Sequence, residues 1–243
     1  MSQVALHTVN HHYGSNHVLH DMQLTFQDHV TTALIGPSGS GKSTIIQLIN
    51  GLTRPSSGTV EVLGKKIDYE RLPDLRKKIG YAVQGTGLFP HLTVWENIIL
   101  LAKLAGWDKL RINERANELI ELVELWPSLK ERYPYELSGG QQQRVGLCRA
   151  MILDPKVLLL DEAFGALDPI TRAEIHEEYL RIQRKIDRTV ILVTHDLREA
   201  LKLAKRMVIL NEGRVEQHDD CSVILQNPAS GFVKDFLDSQ LKE

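Results

Sequence analysis

GPSGSGKST, running from Gly36 to Thr44, is the stretch whose reading decides the fold. It fits the pattern G-x-x-x-x-G-K-[ST], with Gly36, Gly41, Lys42 and Ser43 at the fixed places. The apolar run Thr32-Ala33-Leu34-Ile35 precedes it and the periodic segment Thr44-Ile45-Ile46-Gln47-Leu48-Ile49 follows, so the order predicted is strand, glycine loop, helix. Glycines admit the positive φ angles that turn successive N–H groups inward, and without Cβ atoms a polyphosphate can lie against them. The helix that begins there adds unpaired N–H groups and the positive end of its dipole. Lys42 supplies a point charge for β- and γ-phosphates, and the Ser43 hydroxyl is a candidate magnesium ligand. Gly36, Ser38, Gly39, Gly41, Lys42, Ser43 and Thr44 are therefore the candidate phosphate contacts. A Gly/Ser-rich surface turn that merely holds a lysine has no reason to sit between a buried strand and a helix.

Composition narrows the classes. The 243 residues suffice for one large domain or a core with an inserted subdomain, and 42% hydrophobic residues can bury a sizeable core. Net charge is −2, with 29 basic and 31 acidic residues spread throughout, so charge gives no sign of a nucleic-acid surface. Cys148 and Cys221 show neither metal-ligand spacing nor a disulfide framework, which suits a reducing compartment. MSQVALHTVNHHYG lacks the layout of a signal peptide, and runs such as Ile98–Leu101 and Val157–Leu160 fall far short of a membrane span of ~20 residues. The expectation is a cytoplasmic chain able to dock on a membrane protein. His7, His11, His12, His17 and His20 are irregularly spaced and read as scattered surface histidines rather than metal ligands.

Strands are predicted over Val4–Val9, Val18–Phe26, Val30–Ile35 and Thr59–Leu63, with a turn at Tyr13-Gly14-Ser15. A helix from Lys42 to about Asn50 is capped by Gly51. After the strand Ile79–Val83 comes the glycine-rich loop Gln84–Pro90, then a capping box, Thr93 with Glu96, opening a helix over Val94–Leu104 that Gly106 closes. Ile112, Ala116, Leu119, Ile120, Val123 and Trp126 fall on one face of a second helix. Ser138 and Gln141 repeat the capping-box spacing before a third, which should end near Asp154-Pro155. Val157–Leu160 and Thr189–Thr194 are buried-strand runs joined by a helix over Arg172–Ile186. Short strands at Met207–Leu210 and Arg214–Gln217 and one helix over Ser222–Leu237 complete the chain. The fold class expected is α/β: a P-loop NTPase core with a mainly parallel sheet (1–87 and 155–243), an antiparallel β-subdomain and an inserted helical subdomain (88–154).

Asp161 and Glu162 terminate an apolar strand, and ligands bind beyond the carboxyl ends of strands in such sheets, so both carboxylates are expected beside the phosphate loop. Asp161 then complements Ser43 on magnesium, directly or through water, and Glu162 polarises an attacking water as general base. His195 closes another strand and reads either as a γ-phosphate contact or as a strand-end cap; Gln84 carries the same two readings. Leu137-Ser138-Gly139-Gly140-Gln141 is a second glycine-rich helix N-terminus without a lysine, an anion site made from dipole and backbone donors. One nucleotide does not need two such sites, whereas two facing chains would use both.

Taken together these motifs resemble the ATP-binding-cassette ATPases over nearly the whole chain. LSGGQ at Leu137–Gln141 looks like that family's signature, and GPSGSGKST and VLLLDE look like its Walker A and Walker B. By similarity Gln84 takes the Q-loop position, where it would also reach the metal; Ala166-Leu167-Asp168 takes the D-loop, His195 the switch histidine, and Tyr13 the aromatic that stacks on adenine. The resemblance implies ATP and Mg2+ as cofactors and a head-to-tail pair of copies. Each ATP would lie between the phosphate loop of one copy and Ser138, Gly139, Gly140 and Gln141 of the other, with Asp168 nearby, and hydrolysis by Glu162 and His195 would release the pair. It further implies an integral membrane permease as partner and, indirectly, an extracellular solute-binding protein.

IGYAVQGTGLFPHLTVWENI, DEAFGALDPITR and QNPASGFVKDFL look most similar to ATPases of osmoprotectant importers for glycine betaine, carnitine and choline. Many of those carry C-terminal CBS domains, and this sequence stops at Glu243, so sensing through such domains is not expected. In the Gly85–His91 loop, Leu88, Phe89 and Pro90 either receive a permease helix or pack inside the helical subdomain. An exporter ATPase is an alternative. DNA-repair cassettes carry a long coiled-coil insert, absent between Gln84 and Leu137, and translation cassettes are fused in pairs.

Overall fold

The structure, a computed structural model, describes residues 2–83, 85, 87–165, 168–185 and 188–242. In chain order the elements are β1 (Ser2–Tyr13), β2 (Asn16–Gln27), β3 (Thr31–Ile35), α1 (Lys42–Ile49), β4 (Ser57–Val62), β5 (Lys65–Lys66), α2 (Leu72–Arg76) and β6 (Ile79–Ala82). There follow α3 (Val94–Leu104), α4 (Lys109–Leu122), α5 (Gly139–Met151), β7 (Val157–Asp161) and α6 (Pro169–Lys185). The chain ends with β8 (Thr189–Val193), α7 (Leu197–Leu203), β9 (Arg206–Asn211), β10 (Arg214–Asp220), α8 (Cys221–Gln226) and α9 (Gly231–Lys242). Two compact units result: Met1–Arg76 with Thr189–Glu243, and Lys77–Arg188.

The first unit holds two sheets. One is antiparallel, in the order β2-β1-β4-β5. The other runs β10-β9-β3-β8, with β3 parallel to both β8 and β9 and only β10 antiparallel. Every residue of β3 and β8 is buried, which explains why both read as unbroken apolar runs rather than as alternating ones. Ala33, Ile35, Met207 and Ile209 of this sheet pack on Leu197 and Ala200 of α7, Ile224 of α8 and Val233 and Leu237 of α9. The fold is that of a P-loop NTPase with an antiparallel β-subdomain.

The second unit is the helical one. Parallel β6 and β7 pair from Ile79↔Val157 to Ala82↔Leu160, α5 packs on β6, and α3, α4 and α6 pack on α5. α3 has the predicted bounds, and its capping box forms in full: the Thr93 hydroxyl accepts from Glu96 N–H, and the Glu96 carboxylate accepts from Thr93 N–H.

Four local expectations are corrected. β1 extends to Tyr13 because register shifts after Leu6 and Val9 break the period-two pattern that marks a strand in sequence. α4 ends at Leu122, Glu124 turns left-handed (φ 50°), and Pro127 keeps Trp126 out of helix, so Trp126 is 70% exposed instead of lying on the buried face. The single C-terminal helix is two, since Pro228 forces Asn227 out of the helical region (φ −134°, ψ 72°). The early histidines are not scattered. β1–β2 pairing sets His12 opposite His17, whose rings stack at 3.9 Å, with His20 at 3.8 Å from His17, while His11 is buried. Among the described residues no group of three or more His, Cys, Asp or Glu is arranged to hold a metal ion.

Candidate nucleotide-binding site

In the first unit, buried β3 delivers the chain into the glycine loop and α1 begins at Lys42, directly after Gly41 with φ 100°. Gly36 is the tightest position. A Cβ there would lie 2.1 Å from the Leu210 carbonyl oxygen of β9, so only glycine lets the loop leave the sheet against its neighbour. The Lys42 ammonium turns back into the loop and donates to Gly36 O and Pro37 O, each at 2.8 Å, and to Ser40 Oγ at 3.4 Å. It is thus buried but its charge is met by oxygens, which keeps a desolvated cation tolerable. Ser38, Gly39 and Ser43 are exposed, while Gly36, Gly41 and Thr44 are buried behind them.

Tyr13, at the end of β1, is half exposed and donates its hydroxyl to Gln47 Oε1 of α1 at 2.9 Å. This bond ties the aromatic ring to the helix that carries the phosphate loop, and the His11 ring meets it edge-on at 4.6 Å. Gln47 had no sequence signal beyond lying on a helix. His195 is exposed at the end of β8, beside the end of β3: Leu34 pairs with Val193, and Thr194 N–H donates to Leu34 O. The N-cap of α7 is Asp196, which accepts from Arg198 N–H and Glu199 N–H.

In the second unit Asp161 is the last residue of β7 and accepts a hydrogen bond at 3.2 Å from the Tyr81 hydroxyl of β6. Glu162 follows with φ 48°, a left-handed conformation uncommon outside glycine, which turns the chain off the strand. Gln84, Ala166 and Leu167 lie outside the described residues. Asp168 caps α6, its Oδ1 accepting from Ile170 N–H and Thr171 N–H, and its hydrogen bonds to Thr171 hold its carboxyl below the ordinary range.

The second glycine turn opens α5. Ser138 Oγ accepts from Gln141 N–H and Gln141 Oε1 accepts from Ser138 N–H, the capping box the spacing predicts. Gln142 donates to Pro134 O and Leu137 O, fastening the approach to this turn. Gly140 is constrained from behind: an added Cβ would meet Thr171 Cγ2 of α6 at 2.5 Å. The glycine therefore also allows close packing of α5 on the helix that follows Asp168.

Sequence reasoning missed Asn97. Wholly buried in α3, its amide accepts from Phe89 N–H and donates to Phe89 O, Leu92 O and Thr93 O. Arg149 adds a bond to Gly87 O and lies over the Phe89 ring, with burial lowering its pKa. An asparagine inside an apolar helical run was the available signal. Phe89 is itself 43% exposed and Leu88 half-buried, so the phenyl ring does not pack inside the helical unit.

The family profile described as ABC transporter matches residues 19–165, a span that holds both glycine turns and the Asp161-Glu162 pair. The chain belongs to the ABC transporter family. Its fold is the family's ATPase cassette: it superposes on the dimeric post-hydrolysis ATP-binding cassette MJ0796 bound to ADP and Pi with a TM-score of 0.80 at 31% identity, covering 90% of this chain and 98% of that one. Among sequence relatives, the glycine betaine uptake system ATP-binding protein YehX of Escherichia coli (strain K12) is 46% identical over 225 residues, 93% of this chain and 73% of the relative. The glycine betaine/carnitine/choline transport ATP-binding protein OpuCA of Bacillus subtilis (strain 168) is 49% identical over 203 residues, 84% of this chain. The chain spans about half, 53%, of that relative's length.

Taken one at a time, the Ser43 hydroxyl of the first unit and the Asp161 carboxylate of the second are hard oxygens of the kind that magnesium takes. No helix among the described residues is long and apolar enough to cross a membrane.

Proposed function

We propose that this chain hydrolyses ATP to drive import of a quaternary-amine osmoprotectant, or a similar small polar solute, through a separate membrane permease. The observation that carries this reading is the Lys42 ammonium seated in the Gly36–Ser40 loop at the N-terminus of α1, in a chain that also holds a second glycine-rich helix start at Ser138–Gln141. Residues 1–87 and 155–243 serve as nucleotide-binding core and 88–154 as helical subdomain. Tyr13 stacks on adenine, and Gly36, Ser38, Gly39, Gly41, Lys42, Ser43 and Thr44 hold the phosphates. Ser43, Asp161 and Gln84 hold magnesium, which neutralises charge on the transferred phosphoryl group. Glu162 takes a proton from the attacking water, and His195 orients that water and the γ-phosphate. Ser138, Gly139, Gly140 and Gln141, with Asp168, come from a second copy and close over the same ATP. Binding favours the closed pair and hydrolysis releases it, a population shift driven by the γ-phosphate.

The permease's cytoplasmic helix docks on residues 85–91, where Asn97 holds the Phe89 backbone, so the chain works at the inner face of the membrane. An extracellular solute-binding protein selects the solute. Uptake of radiolabelled glycine betaine, choline and a polar amino acid in cells with and without the gene tests this. Loss of quaternary-amine uptake is expected; loss of amino-acid uptake alone would overturn the quaternary-amine reading, and unchanged uptake of all three would overturn import of this solute class altogether.

A further inference from the structure

Tyr81 has no part in the scheme above, yet its hydroxyl touches Asp161. β6 and β7 run parallel with Tyr81 opposite Leu159, which lets the long side chain reach forward to the last residue of the neighbouring strand. The ring is half-buried, and the bond to Asp161 Oδ2 is 3.2 Å. A phenol ordinarily titrates at about pH 10, so the hydroxyl is a donor at neutral pH without any special environment. A carboxylate at a strand end has its χ2 torsion free over a broad range. One fixed donor on Oδ2 restricts it, much as partners behind ligands orient them in metal sites.

We propose that Tyr81 is a positioning residue for magnesium in this site: by holding Oδ2 it fixes the carboxylate of Asp161 for metal binding. The inference rests on the reading of Asp161 as the magnesium-side carboxylate. A tyrosine that only filled space between β6 and its neighbours would be replaced by phenylalanine without effect, since the two rings have nearly the same shape.

The test is equilibrium binding of a fluorescent ATP analogue to the full chain, in EDTA and across a magnesium titration, for wild type, Tyr81→Phe and Asp161→Asn, with far-UV circular dichroism of each. For Tyr81→Phe, the expected result is unchanged affinity in EDTA and a magnesium concentration for half-maximal enhancement raised about tenfold. Asp161→Asn should lose the enhancement. If Tyr81→Phe titrates like wild type while Asp161→Asn loses the enhancement, Tyr81 does not position the metal. If affinity in EDTA falls as much as affinity in magnesium, the role is general packing and the inference fails. If Asp161→Asn keeps the wild-type magnesium response, the reading of Asp161 itself falls first.

Discussion

Asn97→Ala should loosen the segment 87–93 and destabilise the chain by about 2–4 kcal/mol. In the native structure the amide donates to Phe89 O at 3.1 Å, to Leu92 O at 3.0 Å and to Thr93 O at 3.0 Å, and accepts from Phe89 N–H at 2.9 Å. Truncation does not orphan all four groups. Thr93 O keeps the bond from Asn97 N–H, and Phe89 O keeps that from Leu92 N–H. Phe89 N–H and Leu92 O lose the partners seen here, at about 1–3 kcal/mol each where water cannot replace them, and Phe89 is exposed enough to recover part of that. Urea unfolding of wild type, Asn97→Ala and Asn97→Leu measures the loss, the leucine refilling the volume without restoring the bonds. Limited proteolysis should find new cleavage among residues 87–92. A loss under about 0.5 kcal/mol, or full recovery by leucine, would refute the argument that hydrogen bonds rather than packing hold this loop.

Gly36→Ala should cost about 2–3 kcal/mol and most ATP affinity, because its Cβ would stand 2.1 Å from Leu210 O of β9; a thermal melt within a degree of wild type would show that the loop relaxes freely. Stability should also fall as pH drops below about 6.5. Burial, their first cause, lowers the pKa of His11, His20 and His218, so the unfolded chain binds protons that the folded chain refuses, and the effect is absent above that range. Replacing His11 and His218 by glutamine should flatten the urea midpoint between pH 7 and 5, and an unchanged slope would count against it.

The parts of the fold legible in sequence are those where one local rule dominates. α3 is bounded by the Thr93–Glu96 box and has the predicted bounds, and α1 starts at Lys42, as the glycine pattern predicts. β3, β7 and β8 are legible because strands buried on both faces are apolar along most of their length instead of alternating. What was not legible depends on partners distant in sequence. Nothing near Tyr81 announces that parallel pairing brings it to Asp161, 80 residues on. Nothing near Gly140 announces Thr171 behind it, and the His12–His17–His20 stack exists only because a two-residue turn sets the register of β1 on β2.

The central claim is that ATP joins two copies and that Glu162 ends the union by hydrolysis. The direct measurement is the mass in solution of Glu162→Gln in saturating magnesium ATP, with phosphate release followed in the same sample. The account predicts a stable particle of about twice 27.5 kDa that reverts when ATP is removed, with phosphate release near background. A variant that stays monomeric with ATP bound, or that turns ATP over at the wild-type rate, would contradict it.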